Sequence, residues 1–393
     1  MGVLKSEKRE PPPGGDDPMQ PHSLKQPHLA HVVLGLPFGG TEILVERMLR
    51  TPPAGYAVSC LCLDSIGEVG ERLRKDGIKV TLLNRKPGFD FGLPRRLARQ
   101  TALDGIDVIH CHQYTPFFYG ALARLFRPRL KVIFTEHGRF HPDTPSPKRR
   151  IFNALMQGRA DSITAVSPAV KQALIDVEGF APDRIEVVYN GISFPAAKED
   201  RAALRARLGL DPHAFHFILC SRFDPIKWIP GLLEALRKAI DAHPSLRLVL
   251  VGDGVEKEAI LAKRKALGLE QAVIMPGFQR NVSDWLRASD AFVLCSLNEG
   301  TSVSLIEAMA AGLPAVATRV GGNPYVVEAG ETGLLVPASD PAALAEGLLA
   351  LASAPDRARE MGAKARIRYE ARFLPARMDA TYAAMYERAL GPA

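Results

Sequence analysis

Residues 290–318, DAFVLCSLNEGTSVSLIEAMAAGLPAVAT, read as a strand, a loop, a helix and a second strand. Ala291–Cys295 is a short apolar run of the kind a strand buried on both faces requires. The polar loop around Asn298 ends it. Thr301 or Ser302 is placed to cap the helix that follows, and Pro314–Thr318 opens the next apolar run. Two strands joined by a helix must lie parallel, and parallel strands need helices on their faces. The same rhythm recurs on both sides. Upstream lie HLAHVVLGL (28–36), YAVSCLCL (56–63), IKVTLL (78–83), DVIHC (107–111), KVIFTE (131–136), SITAV (162–166) and RIEVV (184–188). The rhythm breaks after Asn190-Gly191, in a stretch rich in Pro, Ala and charge. It resumes with FHFILC (215–220), LRLVLVG (246–252) and AVIMPG (272–277), and closes with TGLLV (332–336).

This pattern predicts an α/β protein of two doubly wound, parallel-sheet domains facing each other across a cleft. The expected divisions are a disordered tail over 1–27, a first domain over 28–198, a second over 199–375, and a last helix over 376–393 that packs back on the first domain. The tail, with its run Pro11-Pro12-Pro13-Gly14-Gly15, lacks the apolar content to order itself. In open parallel sheets, ligands sit beyond the carboxyl ends of the strands, so the loops after the strands are where chemistry is expected.

Composition narrows the class. A length of 393 residues with a hydrophobic fraction of 47% supports two buried cores. The five cysteines are scattered and odd in number, which fits a reducing, cytoplasmic setting better than a disulfide framework. No apolar run is long enough to span a bilayer, and the first residues do not read as a secretory signal. The net charge of +7 is unevenly spread: from Arg72 to Arg150, 17 Lys/Arg stand against 6 Asp/Glu. Two readings stay open for that stretch, an ordinary solvated surface or a face for an anionic partner such as a membrane. No nucleic-acid recognition motif is present.

The loop and helix of 297–310 offer the sharpest chemistry. Gly300 permits a tight turn. The helix beyond it begins with free amides and partial positive charge, at Gly300, Thr301, Ser302 and Val303, so it can hold a phosphate or sugar hydroxyls. Glu299 and Glu307 flank that helix start with seven residues between them, a spacing that lets two carboxylates serve one extended ligand. Taken alone they are also ordinary helix glutamates.

Context makes them specific. EGTSVSLIEAMAAGLPAVAT resembles the two-glutamate signature of the family 4 retaining glycosyltransferases, which have the GT-B fold. The likeness runs over about 28–390. It includes, in order, GLPFGGTE (35–42), TEHGR (135–139), VVYNGI (187–192), SRFDPIKW (221–228), LVLVGDG (248–254) and TGLLV. It implies a nucleotide-sugar donor, in particular a uridine diphosphate sugar, bound in the second domain, and transfer with retention by front-face attack. In that resemblance Glu307 takes the ribose diol, Glu299 the transferred sugar, and Arg222 with Lys227 the diphosphate, whose departing charge they stabilise. His137 matches an active-site histidine facing the sugar, and Arg139 an acceptor or phosphate ligand. Gly39-Gly40 would close over donor phosphates or acceptor, and Gly277-Phe278 would flank the nucleotide pocket. Glu42 reads as a first-turn helix residue. No cofactor or metal is required, because two cations and a helix terminus suffice to neutralise the diphosphate. The closer likeness is to bacterial enzymes of exopolysaccharide and cell-surface glycan synthesis, working in the cytoplasm or on the inner membrane face. A glycan or lipid-linked acceptor follows from it.

Some positions depart from the pattern. Trp228 stands where a small residue is usual, Tyr325 where a glutamate is common, and Ser193 where an Asp follows Asn-Gly. His110 and His112 share one strand face by period two. With no third ligand evident in the sequence, they read as core or acceptor-cleft residues rather than a metal pair. The rival readings are a nucleotide-sugar epimerase or a pyridoxal phosphorylase of the same fold, and a non-catalytic sugar-nucleotide-binding subunit. A nicotinamide enzyme would need G-x-G-x-x-G after its first strand, and PFGGTE does not supply it.

Overall fold

The computed structural model describes residues 26–138 and 144–391. Almost all of the expected tail therefore lies outside the described residues. Seven strands form the first sheet: β1 His28–Val33, β2 Ala57–Cys62, β3 Val80–Leu82, β4 Val108–His112, β5 Lys131–Glu136, β6 Ser162–Ala165 and β7 Ile185–Val187. Six form the second: β8 Phe215–Cys220, β9 Leu246–Val251, β10 Val273–Gly277, β11 Ala291–Leu294, β12 Ala315–Thr318 and β13 Gly333–Val336. Every strand pairing is parallel, and the orders are β3-β2-β1-β4-β5-β6-β7 and β10-β9-β8-β11-β12-β13. Each sheet thus winds one way from its first strand and then the other. The switch points lie between β1 and β4, and between β8 and β11.

Local chemistry explains where the helices begin. Ser167, Asp200, Ser302 and Asp340 each accept a hydrogen bond from a first-turn amide of the helix they precede. Helix Gly40–Arg50 has Glu42 in its first turn and Arg47 and Arg50 in its last, matching charge to the helix dipole. The strands are buried nearly throughout, as a sheet covered on both faces demands.

The two domains are joined twice at one place. The chain leaves the first domain at Asn190–Ile192 and returns at Phe373–Pro375. Ile192 N–H donates to the Phe373 carbonyl at 3.0 Å, and the Tyr369 hydroxyl donates to the Ile192 carbonyl at 2.8 Å. A Cβ on Gly191 would meet Pro375 Cα at 2.7 Å, so only glycine fits that crossing. Helix Pro375–Leu390 then lies on the first sheet. It buries Met378, Tyr382, Met385, Tyr386 and Ala389 against β4 and β5, and Arg47 clamps Asp379 with two bonds of 2.8 and 2.6 Å. Through these side chains one apolar cluster continues from Leu29, Val108 and Ile133 into the core of the second domain.

Candidate functional site

A cleft of about 780 Å³ lies between the domains. Its walls are the loops after β1, β4, β5, β8, β9 and β11, so both switch points open into it, as the topology requires. Gly39, Gly40, His137, Arg222, Lys227, Phe278, Glu299, Gly300, Thr301, Ser302, Val303 and Glu307 all line it.

The wall from the second domain is built around helix Val303–Ala310. Ser302, not Thr301, is its cap, accepting from Leu305 N–H at 3.4 Å. The Thr301 hydroxyl instead donates across the domain boundary to the Val166 carbonyl at 2.7 Å. Ser167 Oγ donates to the Gly300 carbonyl at 3.0 Å. A Cβ on Gly300 would meet the His137 carbonyl at 2.0 Å, so the motif glycine is where the two domains' backbones touch. Glu299 sits half-buried with Oε1 2.6 Å from Lys227 Nζ and 2.6 Å from Ser296 Oγ. The residues read as sugar and phosphate ligands are therefore ion-paired with each other, and a donor must compete with that pair. Glu307, one turn inside the helix, is desolvated enough that its pKa is raised to about 7. Arg222 is mostly exposed, held by Asp224 at 2.6–2.7 Å. Trp228 occupies the left-handed region at φ 52°, where its ring covers Gly231 and the lysine before it is turned toward Glu299. The bulky residue is thus accommodated by the helix beyond it, with the charge still in the cleft.

The wall from the first domain is shorter. Gly40 approaches Val303, leaving 3.3 Å for an added Cβ, so the glycine loop meets the helix start of the other domain. Glu42 is in the first turn of its helix as expected, and burial raises its pKa despite the nearby Arg222. Phe38 and Phe278 meet edge to face at 4.6 Å, one ring from each domain. His137 lines the cleft with its pKa lowered to about 4 by burial, a neutral imidazole.

Several expectations need correcting. His112 is 1% exposed, with Nδ1 at 2.9 Å from His137 Nε2 and Nε2 at 2.8 Å from His31 Nδ1. It stands behind the cleft wall and has no nitrogen left for an acceptor. The histidine pair also has a third neighbour: ligating atoms of His31, His110 and His112 lie within 4.8 Å of one another. The sequence hides this because β1 and β4 are paired with His31 opposite His110, a residue 79 positions further on. Gly277 is not on the cleft wall; its carbonyl accepts from Gly252 N–H at 3.0 Å. Arg139 lies outside the described residues. Tyr325 and Ser193 are exposed and do not line the cleft, so those two departures from the pattern lie away from it.

Several lining residues escaped the sequence reading, Gln113, Asn190 and Ser221 among them. Gln113 follows β4 at φ 75°, an unusual value for a residue with a side chain. Asn190 is buried at the cleft floor, with its amide 3.4 Å from the Thr301 carbonyl. In the sequence, the Asn-Gly of VVYNGI marks a break between domains and gives no sign of a cleft residue. Ser221 starts the loop that carries Arg222.

Known proteins share this arrangement. The family model "Glycosyltransferase Family 4" matches residues 38–194, and "Glycosyl transferases group 1" matches 200–368. An N-acetyl-alpha-D-glucosaminyl L-malate synthase of Bacillus anthracis is 30% identical over 306 residues, covering 76% of this chain and 79% of that protein. A D-inositol 3-phosphate glycosyltransferase of Streptomyces scabiei is 35% identical over 280 residues, but the match spans 66% of this chain and only 63% of that protein. Among solved structures, Anabaena HepE in complex with UDP superposes with a TM-score of 0.80 at 23% identity, over 92% of this chain and 99% of that one. A glycosyltransferase from Rickettsia africae gives 0.80 at 19% identity, over 94% and 100%. Paired parallel sheets that present their switch points to one cleft define the GT-B class. Within that class, the chain belongs to glycosyltransferase family 4.

Proposed function

We propose that the chain transfers a sugar, with retention of anomeric configuration, from a uridine diphosphate sugar to an acceptor that enters from the first domain. The observation that carries this is the convergence of Glu299, Lys227 and Glu307 around the amino end of helix Val303–Ala310 at a topological switch point. In this reading Glu307 receives the ribose hydroxyls, and Lys227 leaves Glu299 for the diphosphate. That exchange frees Glu299 for the sugar just as the phosphate charge is neutralised. Arg222, held by Asp224 at the cleft edge, adds a second cation that can swing inward. Attack comes from the face the leaving group vacates, and the departing phosphate oxygen takes the acceptor proton. No metal is invoked, since two cations and the helix amides serve the leaving charge. A panel of nucleotide sugars tested by thermal shift, followed by turnover of the hits, decides the donor. Stabilisation by none of them sinks the proposal.

Two observations bear on the acceptor and the location. The curated relatives are named for small polar acceptors, malate and inositol 3-phosphate, which supports a small-molecule acceptor. The first domain's surface supports a lipid-linked or glycan acceptor of exopolysaccharide type, met on the inner face of a membrane. There Phe89 packs on Phe91 and Phe118, Phe118 on Phe152, and Arg95 lies over Phe126. Phe91 is 84% exposed, and Ile151 and Leu155 are exposed beside Lys148 and Arg150. Apolar side chains rimmed by cations are suited to an anionic bilayer. No helix among the described residues is long and apolar enough to cross a membrane. Binding to vesicles that rises with anionic lipid and falls with salt is expected. Equal binding to neutral and anionic vesicles would leave the small-molecule acceptor.

A further inference from the structure

Four histidines occupy one region of the first domain: His31 on β1, His110 and His112 on β4, and His137 just after β5. All are buried, and burial holds each below the usual histidine range, His31 at about 3 and His137 at about 4. All four rings are therefore neutral at physiological pH. A neutral imidazole has one N–H and one lone pair.

His110 stands apart in its bonding. Its Nδ1 meets the Tyr386 hydroxyl at 2.7 Å and its Nε2 the Thr135 hydroxyl at 2.7 Å, and Thr135 in turn meets Tyr382 at 3.1 Å. The other three form a line. His137 Nε2 is 2.9 Å from His112 Nδ1, and His112 Nε2 is 2.8 Å from His31 Nδ1. The rings are also stacked: His112 lies 4.2 Å from His110 and 5.1 Å from His31, at 29° and 23° between planes. Five of the six ring nitrogens of His31, His110 and His112 already have a hydrogen-bonding partner, so an ion held by the three would have to displace those bonds.

The line has a consequence that single bonds lack. His112 is bonded on both sides, so it donates on one side and accepts on the other. Its neighbours must match. Either all three rings carry the proton on Nδ1, or all three carry it on Nε2. At the cleft end, His137 Nδ1 is buried and has no partner among the described residues. In the first arrangement that nitrogen is a donor; in the second it is an acceptor. At the other end, His31 lines a second cavity of about 390 Å³, together with Met48, Thr51, Asp379 and Tyr386. Reversal requires one proton to enter at one end as another leaves at the opposite end, because each ring keeps one.

We propose that His31 and His112 are positioning residues for sugar transfer: as a hydrogen-bonded imidazole chain they tie the tautomer of His137 to their own, and so set together with it whether it donates to or accepts from the donor sugar. This rests on the reading that His137 faces that sugar. The orienting role resembles that of a carboxylate behind a catalytic histidine, performed here by a second and third imidazole.

The test uses the full chain with ¹⁵N-labelled histidine, and four forms: wild type, His31→Leu, His112→Leu and His112→Asn. The expected spectrum has His31, His112 and His137 neutral and protonated on the same ring nitrogen, with the His137 signals changed in His31→Leu, a residue His137 does not touch. In kinetics, His112→Leu should lower kcat about tenfold or more while the Kd for UDP stays within about twofold. His112→Asn, whose amide can occupy the place of Nδ1, should recover much of that loss. Retained UDP binding shows that a slow variant is folded; if His112→Leu does not fold, His31→Leu and His112→Asn carry the test. Unlike tautomers in wild type, an unchanged His137 signal in His31→Leu, or a wild-type kcat in His112→Leu overturns the proposal. So does stoichiometric Zn²⁺ bound by wild type and lost in His31→Leu. If no nucleotide sugar is turned over by wild type, the transferase reading fails, while the spectra still decide whether the chain exists.

Discussion

The two sheets have the same winding and opposite interiors. In the second domain the strands beside the switch point, β8 and β11, are almost wholly apolar, with Phe217, Leu219, Phe292 and Val293 at 0% exposure and His216 the one buried imidazole among that domain's described residues. Its chemistry lies outside the sheet, in the loop and helix of 297–310. In the first domain, β1, β4 and β5 bury His31, His110, His112 and Thr135 beneath the tyrosines of the C-terminal helix. One half of the molecule brings a single polar side chain, His216, into the core from its switch-point strands. The other has built a polar network into the core itself, where an unpaired group is costly and a satisfied network is rigid. The second domain therefore resembles a fixed socket, and the first a structure whose core is linked to the cleft wall.

Acid should separate the halves most strongly. A histidine whose folded pKa is lowered contributes stability that is complete above its unfolded pKa, near 6.5, and is lost as pH falls toward the folded value. For His31 and His137, with folded values of about 3 and 4, the loss from pH 8 to pH 5 is about 2 kcal/mol each, about 4 kcal/mol together. His216, lowered to about 4, adds a further share from the second domain. Urea midpoints across this range should fall steeply below pH 6.5, and His31→Leu should flatten the slope. An unchanged slope in that variant would break the contrast.

Next in size is the leaving-group site. Lys227→Ala or Arg222→Ala should reduce turnover about a hundredfold or more, with little change in melting temperature. Unaltered turnover in both variants would remove the second domain's claim to the phosphate.

The two glutamates should then fail differently. Glu307→Gln should weaken UDP about tenfold to a hundredfold, the worth of a charge-assisted hydrogen bond. Glu299→Gln should leave UDP binding near normal and act on turnover. Because the Glu307 pKa is raised to about 7, its carboxylate form grows as pH rises through 7. UDP binding should strengthen over that range and release protons, which calorimetry in buffers of different ionisation enthalpy can count. If Glu299→Gln loses UDP and Glu307→Gln does not, the roles are reversed.

The smallest effect belongs to an aromatic contact between the two halves. Phe38→Ala removes an edge-to-face pair worth about 0.5–1.5 kcal/mol, so UDP should dissociate up to about tenfold faster. A larger change would mean the ring does more than meet Phe278.

This contrast also explains what could be read in advance. The second domain's part of the cleft is nearly contiguous in sequence, so Glu299, Ser302 and Glu307 could be placed together from one stretch. Strand and helix rhythm likewise identified both sheets. The first domain's site is assembled by strand pairing. Nothing near His31 signals that it stands opposite His110, and nothing near Tyr386 signals a histidine partner 276 positions away. Gln113 adopts its left-handed backbone through tertiary constraint, without a local turn motif. His112 was visible, but its direction was not: period two gives the face of a strand, while depth behind the wall depends on the neighbouring strand.

The paired crossings at Asn190–Ile192 and Phe373–Pro375 restrict how such a molecule can move. A single linker would allow its domains to twist, tilt and drift apart. Two chain segments bonded side by side behave like two knuckles of one door hinge, leaving chiefly one rotation, about an axis through both. Each opening must then retrace the path of closure, and Gly300, Val303 and Phe278 return to the same places on His137, Gly40 and Phe38. The accuracy of the assembled site is thus set at the floor of the cleft, by two crossings that lie below the walls carrying Glu299 and Lys227.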